Sequence, residues 1–198
     1  MITTPSSLGS YLAQERVKRW HIVAMTREQT LLEHAAAVTF IASAIVEKIM
    51  AAIPGIGEGN RIYTSYATMK LAMTHDAQEV FIGDVPSAAR KRFIRDELLV
   101  RDLFYTQYAT IIASKIGGRL FNIIETSIKI ADIVDAIRFC EKYGVNSPHK
   151  DRVLDGLKKS LHEQREELKA RISVKTESGQ LVSEIFDMLH EEVFKEPV

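Results

Sequence analysis

The chain has 198 residues, 46% hydrophobic and 26% charged, and its 26 basic residues are matched by 26 acidic ones. That length can bury a sizeable core, and a net charge near zero argues against a nucleic-acid polymer or an anionic membrane as the main partner. A single cysteine, Cys140, excludes an intrachain disulfide and zinc-ribbon chemistry; the N-terminus lacks a signal-peptide layout, no run approaches the ~18 apolar residues of a membrane span, and one domain over 1–198 in the reducing cytoplasm is expected.

A short helix is predicted over 8–20, ending at Arg19 and Trp20, with a polar loop from His21 to Thr30. A long helix then runs from Glu28 or Thr30 to Ile53. Its Leu31, His34, Val38, Ile41, Ala42, Ile45 and Ile49 keep the three-four spacing of one buried face. Ile53-Pro-Gly-Ile-Gly-Glu-Gly breaks it. Asn60 is the expected cap of the next helix. That helix carries Ala67, Lys70, Leu71 and Thr74 into the pair His75–Asp76 and stops near Gly83, which suits a left-handed end.

Asp84 and Pro86 make a turn, and three cations follow at Arg90, Lys91 and Arg92. A helix from 89 or 93 to Ile116 ends at Gly117-Gly118. The next covers 119–142, with Asp132 and Asp135 set among Ile124, Ile128, Ala131 and Phe139. Ser147-Pro148 reads as a cap with proline at the first helical position. It opens a helix over 148–171, and a last helix covers 178–195. No alternating strand pattern is present, so the expected class is all-α, a bundle of about seven helices.

Four ionisable residues fall where apolar ones are expected: His34, His75, Asp76 and Asp132. They lie on three helices. Imidazoles and carboxylates together suit a first-row divalent ion such as cobalt, manganese, zinc or iron. Singly, each has a plainer reading. A histidine on an apolar face is commonly a hydrogen-bonded core residue, and a buried aspartate can pair with an arginine. Asp135 faces that same choice and leans to a supporting role. Jointly, the four are better explained as one site, because otherwise several costly polar groups must be buried separately. Glu79 shares a helical face with His75 and Asp76 and is the candidate general acid/base. Asp84 either positions water near a leaving group or is an ordinary turn residue.

The order His34, then His75-Asp76, then Asp132 resembles the metal signature of the HD-domain phosphohydrolases. More narrowly, the chain resembles the subgroup of bacterial 5′-deoxynucleotidases and phage dATP triphosphohydrolases. The matching pieces are Arg19-Trp20, Glu33-His34, His75-Asp76-Ala-Gln-Glu79, Gly83-Asp84-Val-Pro86 and Lys129-Ile-Ala-Asp132. The resemblance implies an HD-domain helical bundle in which His34, His75, Asp76 and Asp132 hold the metal. It implies that Glu79 serves the attacking water, with Asp84 in support, and that Arg19 and Trp20 contact the nucleotide. Magnesium is an accessory ion in this reading, and the partner is a deoxynucleotide. A homo-oligomer, dimer or hexamer, is expected in the cytoplasm, or in the host cytoplasm if the gene is a phage's.

Within that subgroup the chain looks more like the triphosphate enzymes. The run Arg-Trp-His-Ile-Val continues past Trp20 as theirs does, with Ile22 against the base. Arg90, Lys91 and Arg92, with Arg27 and Lys70, offer charge to a polyphosphate. The plain alternative for 90–92 is a solvated helix start. The expected reaction is dATP and water to deoxyadenosine and triphosphate, by metal-activated water attack at the α-phosphorus. The alternatives are a 5′-deoxynucleotidase and a nucleotide-binding helical module without turnover.

Overall fold

The computed structural model describes residues 12–83, 107–172 and 178–195. Among these residues the α-helices are α1 (Leu31–Ala52), α2 (Glu58–Thr74), the single turn α3 (Glu79–Ile82), α4 (Gln107–Ile116), α5 (Gly118–Tyr143), α6 (Pro148–Ile172) and α7 (Ser178–Leu189), the last continued by a π-helical turn at His190–Phe194. The described residues form no strand, only two isolated bridges, Lys18 with Thr30 and Met25 with Gly144. The all-α class expected from the sequence is what the chain adopts.

α1 begins where Thr30 and Glu33 close a reciprocal capping box: the Glu33 N–H donates to Thr30 Oγ1 at 3.1 Å, and the Thr30 N–H donates to Glu33 Oε2 at 2.9 Å. Its buried face then supplies Val38, Ala42, Ile45, Val46 and Ile49 to the main core. This helix packs on α2 and α5, and α5 packs in turn on α6. Leu71 and Ala67 of α2, Ile124, Ile130 and Val134 of α5, and Leu168 and Ile185 from α6 and α7 fill the same core. Each fully buried Leu or Ile contributes about 1.5–3 kcal/mol. The core therefore clamps α1, α2 and α5 at fixed separations, and these elements carry the candidate ligands.

Four sequence expectations need correction. The helix over 8–20 is, among the described residues, only a 3-10 turn at Ala13–Arg16. α2 is capped by Gly57 rather than Asn60; the N–H groups of Asn60 and Arg61 both donate to the Gly57 carbonyl, so Asn60 is already inside the first turn. α2 does not run on through Glu79. It ends at Thr74, and tighter turns follow, in which the Ala77 N–H donates to Thr74 and the Glu79 N–H to Asp76. Finally, α1, at 22 residues, is long and apolar enough to cross a membrane by length and composition, with a mean hydropathy of 1.7 over its most apolar 18-residue stretch. Its apolar face lies in the core against α2 and α5, which is why a central helix passes that test. Ser147, by contrast, caps α6 as expected, its Oγ accepting from the Lys150 N–H at 3.1 Å.

Candidate metal centre

Three separate elements converge at the end of the bundle nearest Thr74. His34 stands on the first turn of α1, His75 and Asp76 on the turn after α2, and Asp132 midway along α5. One ligand atom from each lies within 4.8 Å of all the others. His34 Nε2 is 3.2 Å from Asp132 Oδ1 and 3.8 Å from Asp76 Oδ2, and His75 Nε2 is 3.2 Å from Asp76 Oδ2.

Both imidazoles are aimed inward by their other nitrogen. His75 Nδ1 is 2.7 Å from the Ala72 carbonyl, and His34 Nδ1 is 2.8 Å from Asp135 Oδ2. In each ring Nδ1–H then donates, which turns Nε2 toward the cluster as the atom that an ion would take. Both Nε2 atoms are buried and make no hydrogen bond. A buried imidazole nitrogen of this kind is costly unless something fills it. Two such nitrogens and two carboxylate oxygens match the donor set of a divalent transition ion. Although adjacent residues point ~100–120° apart around a helical turn, the His75 imidazole and the Asp76 carboxylate both reach the cluster.

The electrostatics fit the same purpose. Burial alone pushes the His75 imidazole down, but the adjoining Asp76 carboxylate outweighs it and, with Asp132 helping, raises it to about 9. Burial pushes Asp76 up; the charge of His75 beside it, then Arg19, hold it far below the usual carboxylate range. Asp132 is likewise held below its ordinary value by His34, against burial and the like charge of Asp76. Without an ion, His75 and Arg19 carry the positive charge that this carboxylate pair demands.

Arg19 reaches the centre from a loop whose base is closed by main-chain bonds: its N–H donates to the Gln29 carbonyl at 3.0 Å, and the Leu31 N–H donates to Val17 at 2.9 Å. Its guanidinium is 3.4 Å from Asp76 and 3.8 Å from Asp132. Trp20, beside it, stacks on Phe139 with centroids 6.1 Å apart and donates its indole N–H to Gln29 Oε1 at 2.8 Å. Its φ of 72° is in the left-handed region, unusual for so bulky a residue.

The remaining sequence candidates fall in different places. Glu79 opens α3, three residues past Asp76, and is buried. Ile22 is 46% exposed on the same loop as Trp20. Arg27 is engaged away from the ligands, paired with Glu33 and lying over the rings of Tyr143 and Phe139. Asp84 and the cations Arg90, Lys91 and Arg92 lie outside the described residues. Gln29 was not anticipated. It is 2% exposed and bridges Trp20 to Asp135, yet a glutamine in a polar loop carries no sequence signal of burial.

Residues 10–98 match a family model described as 5′-deoxynucleotidase YfbR-like. The chain is 29% identical over 163 residues to a protein named dATP triphosphohydrolase from Salmonella phage PMBT28, covering 82% of this chain and 78% of that one. Its fold is similar to that of the cyanophage S-2L HD phosphohydrolase DatZ, solved bound to dA and one catalytic zinc ion. The TM-score is 0.70 at 17% identity, covering 96% of this chain and 98% of the other. The resemblance seen in the sequence therefore holds for both sequence and fold.

Proposed function

We propose that this chain is an HD-domain phosphohydrolase and that it hydrolyses dATP to deoxyadenosine and triphosphate at the α-phosphorus. The observation that carries the phosphohydrolase reading is the cluster of His34, His75, Asp76 and Asp132, with two buried imidazole nitrogens turned toward two carboxylates. The similarity to the Salmonella phage triphosphohydrolase supports the choice of substrate.

The four clustered residues hold the ion. A bound divalent ion supplies Lewis acidity toward water and phosphate oxygen. The chain's own side chains do the rest. Glu79, buried one turn beyond Asp76, takes the proton from the attacking water. Arg19 turns its fork of donors from Asp76 to a phosphate oxygen when the site fills. Trp20 and Ile22 flank the deoxynucleoside, where Ile22 selects adenine by shape. Asp84 supports the leaving group, and Lys91 with its neighbours balances the polyphosphate charge. A homo-oligomer remains part of this proposal.

The YfbR-like match favours a second reading, a 5′-deoxynucleotidase. Both activities need the same attack at the α-phosphorus and differ in the leaving group. The deciding experiment incubates metal-supplemented protein with dATP, dGTP, dCTP, dTTP and dAMP, and resolves the phosphorus products by NMR. Triphosphate from dATP, with little from the others, is the expected result. Orthophosphate from dAMP, with the triphosphates untouched, would make it a nucleotidase.

A further inference from the structure

One buried chain of hydrogen bonds joins the loop of Trp20 to the metal cluster. Trp20 Nε1 donates to Gln29 Oε1 at 2.8 Å, and Gln29 Nε2 donates to Asp135 Oδ2 at 2.8 Å. The same oxygen faces His34 Nδ1 at 2.8 Å, and Arg138 donates to Asp135 Oδ1 at 2.7 Å. Gln29 and Asp135 are 2% and 0% exposed, and the Gln29–Asp135 and His34–Asp135 bonds are buried away from solvent.

The chemistry leaves each link one orientation. An indole N–H only donates and an ionised carboxylate only accepts, so the Gln29 amide cannot be turned over. Asp135 Oδ2 accepts from Gln29 Nε2 and lies 2.8 Å from His34 Nδ1, so His34 donates there through Nδ1–H and turns Nε2 toward the cluster. At the far end, Trp20 is held in a left-handed backbone conformation by its bond to Gln29 and its stack on Phe139. Gln29 also receives the Arg19 N–H on its carbonyl.

We propose that Gln29 is a positioning residue that couples the metal ligand His34 to the nucleotide-contacting pair Arg19–Trp20. An ion on His34 Nε2 makes Nδ1–H a stronger donor to Asp135. That bond and the Gln29 bond share one oxygen, so occupancy of the metal site is felt at the indole. By linkage, ordering of Trp20 by a nucleotide favours the ion to the same degree. The inference rests on the metal assignment above and not on the choice of nucleotide.

Trp20 is the one tryptophan in the sequence, so tryptophan emission reports on this ring alone, and the Gln29 variants separate the coupling from other causes. The metal-free full chain is titrated with zinc, which is spectroscopically silent, and binding is followed in parallel by competition with a chromophoric chelator. The expected result is an emission change that saturates together with zinc occupancy. In Gln29→Met, which keeps the volume but neither bond, the emission response disappears and zinc affinity falls about tenfold. In that variant KM for nucleotide rises while kcat at saturating metal is retained. Unchanged wild-type emission with zinc shown to be bound overturns the coupling and leaves the phosphohydrolase reading standing. No zinc binding overturns both. Wild-type response and affinity in Gln29→Met would also overturn it. If that variant does not fold, Gln29→Asn, whose shorter amide reaches only one partner, is held to the same two readouts.

Discussion

Arg19 and Asp76, 57 residues apart in sequence, meet at 3.4 Å across the candidate metal centre. The guanidinium sits against the two carboxylates that an ion would claim. In the proposed reaction, an ion in the site would free these donors for substrate. Arg19→Ala is expected to raise KM for the nucleotide and lower kcat/KM by about 100-fold, as loss of a charge-assisted contact to phosphate costs ~1.5–3 kcal/mol. Arg19→Lys restores little, because a single ammonium does not reproduce the fork. Steady-state kinetics of both variants check this, and an Arg19→Lys enzyme with wild-type KM would count against the phosphate contact.

Glu79 is buried beside the ligands without being one of the cluster. Glu79→Gln keeps its size and removes its basicity. Turnover is expected to fall by about 10²–10⁴-fold, the usual worth of a positioned general base. Calorimetry should show metal and nucleotide binding preserved. Near-normal turnover would remove Glu79 from the mechanism.

Chelation should abolish activity and lower thermal stability in one step, since the ligands come from α1, the turn after α2, and α5. An ion at 1,000 times its dissociation constant adds about 4 kcal/mol to the folded state. Readdition of zinc, manganese or cobalt should restore both activity and melting temperature. A melting curve indifferent to chelator would mean that the ion does not bridge these elements.

The metal-free protein should show a pH signature at His75, whose pKa is raised to about 9. A raised pKa stabilises the folded state fully below the unfolded value, near 6.5, and the contribution is lost as pH rises through 9. Denaturant midpoints of the metal-free chain should therefore fall between pH 6.5 and 9. An incoming ion must displace that proton, so its apparent affinity should rise by up to about tenfold per pH unit over the same window. A metal affinity flat across this range would mean that His75 is already neutral.

Much of the centre was legible because it violates the pattern around it. His34 interrupts an apolar stripe, and Asp132 and Asp135 interrupt another, so each needed a partner. The element boundaries were less visible. His-Asp-Ala-Gln contains no glycine or proline, so nothing in those residue types marks the end of α2 at Thr74. Gly57 took the cap from Asn60 because the chain leaves its loop extended at Gly57, with ψ of 151°. Gln29 was hidden for the opposite reason. It looks like any loop glutamine, and only the fold of the 17–30 segment back onto α5 buries it. The capping box of Thr30 and Glu33, in contrast, stands in the sequence at its usual spacing.

His34 lies fully buried on the same helix as Leu31, Ala35 and Val38, which are also inaccessible. Its place has a bearing on how such a site ages over evolutionary time. A mutation that discards this histidine also strips a partner from Asp135, a charge sealed inside the protein. Loss of one hydrogen bond to a buried charge commonly costs about 1.5–3 kcal/mol, a large share of a small domain's stability. Descendants that no longer need turnover would still be selected to keep the residue, or to rebuild Asp135 and Arg138 along with it. Retention of His34 is therefore poor evidence of activity in a distant relative, whereas retention of Glu79 and Arg19 is the better guide.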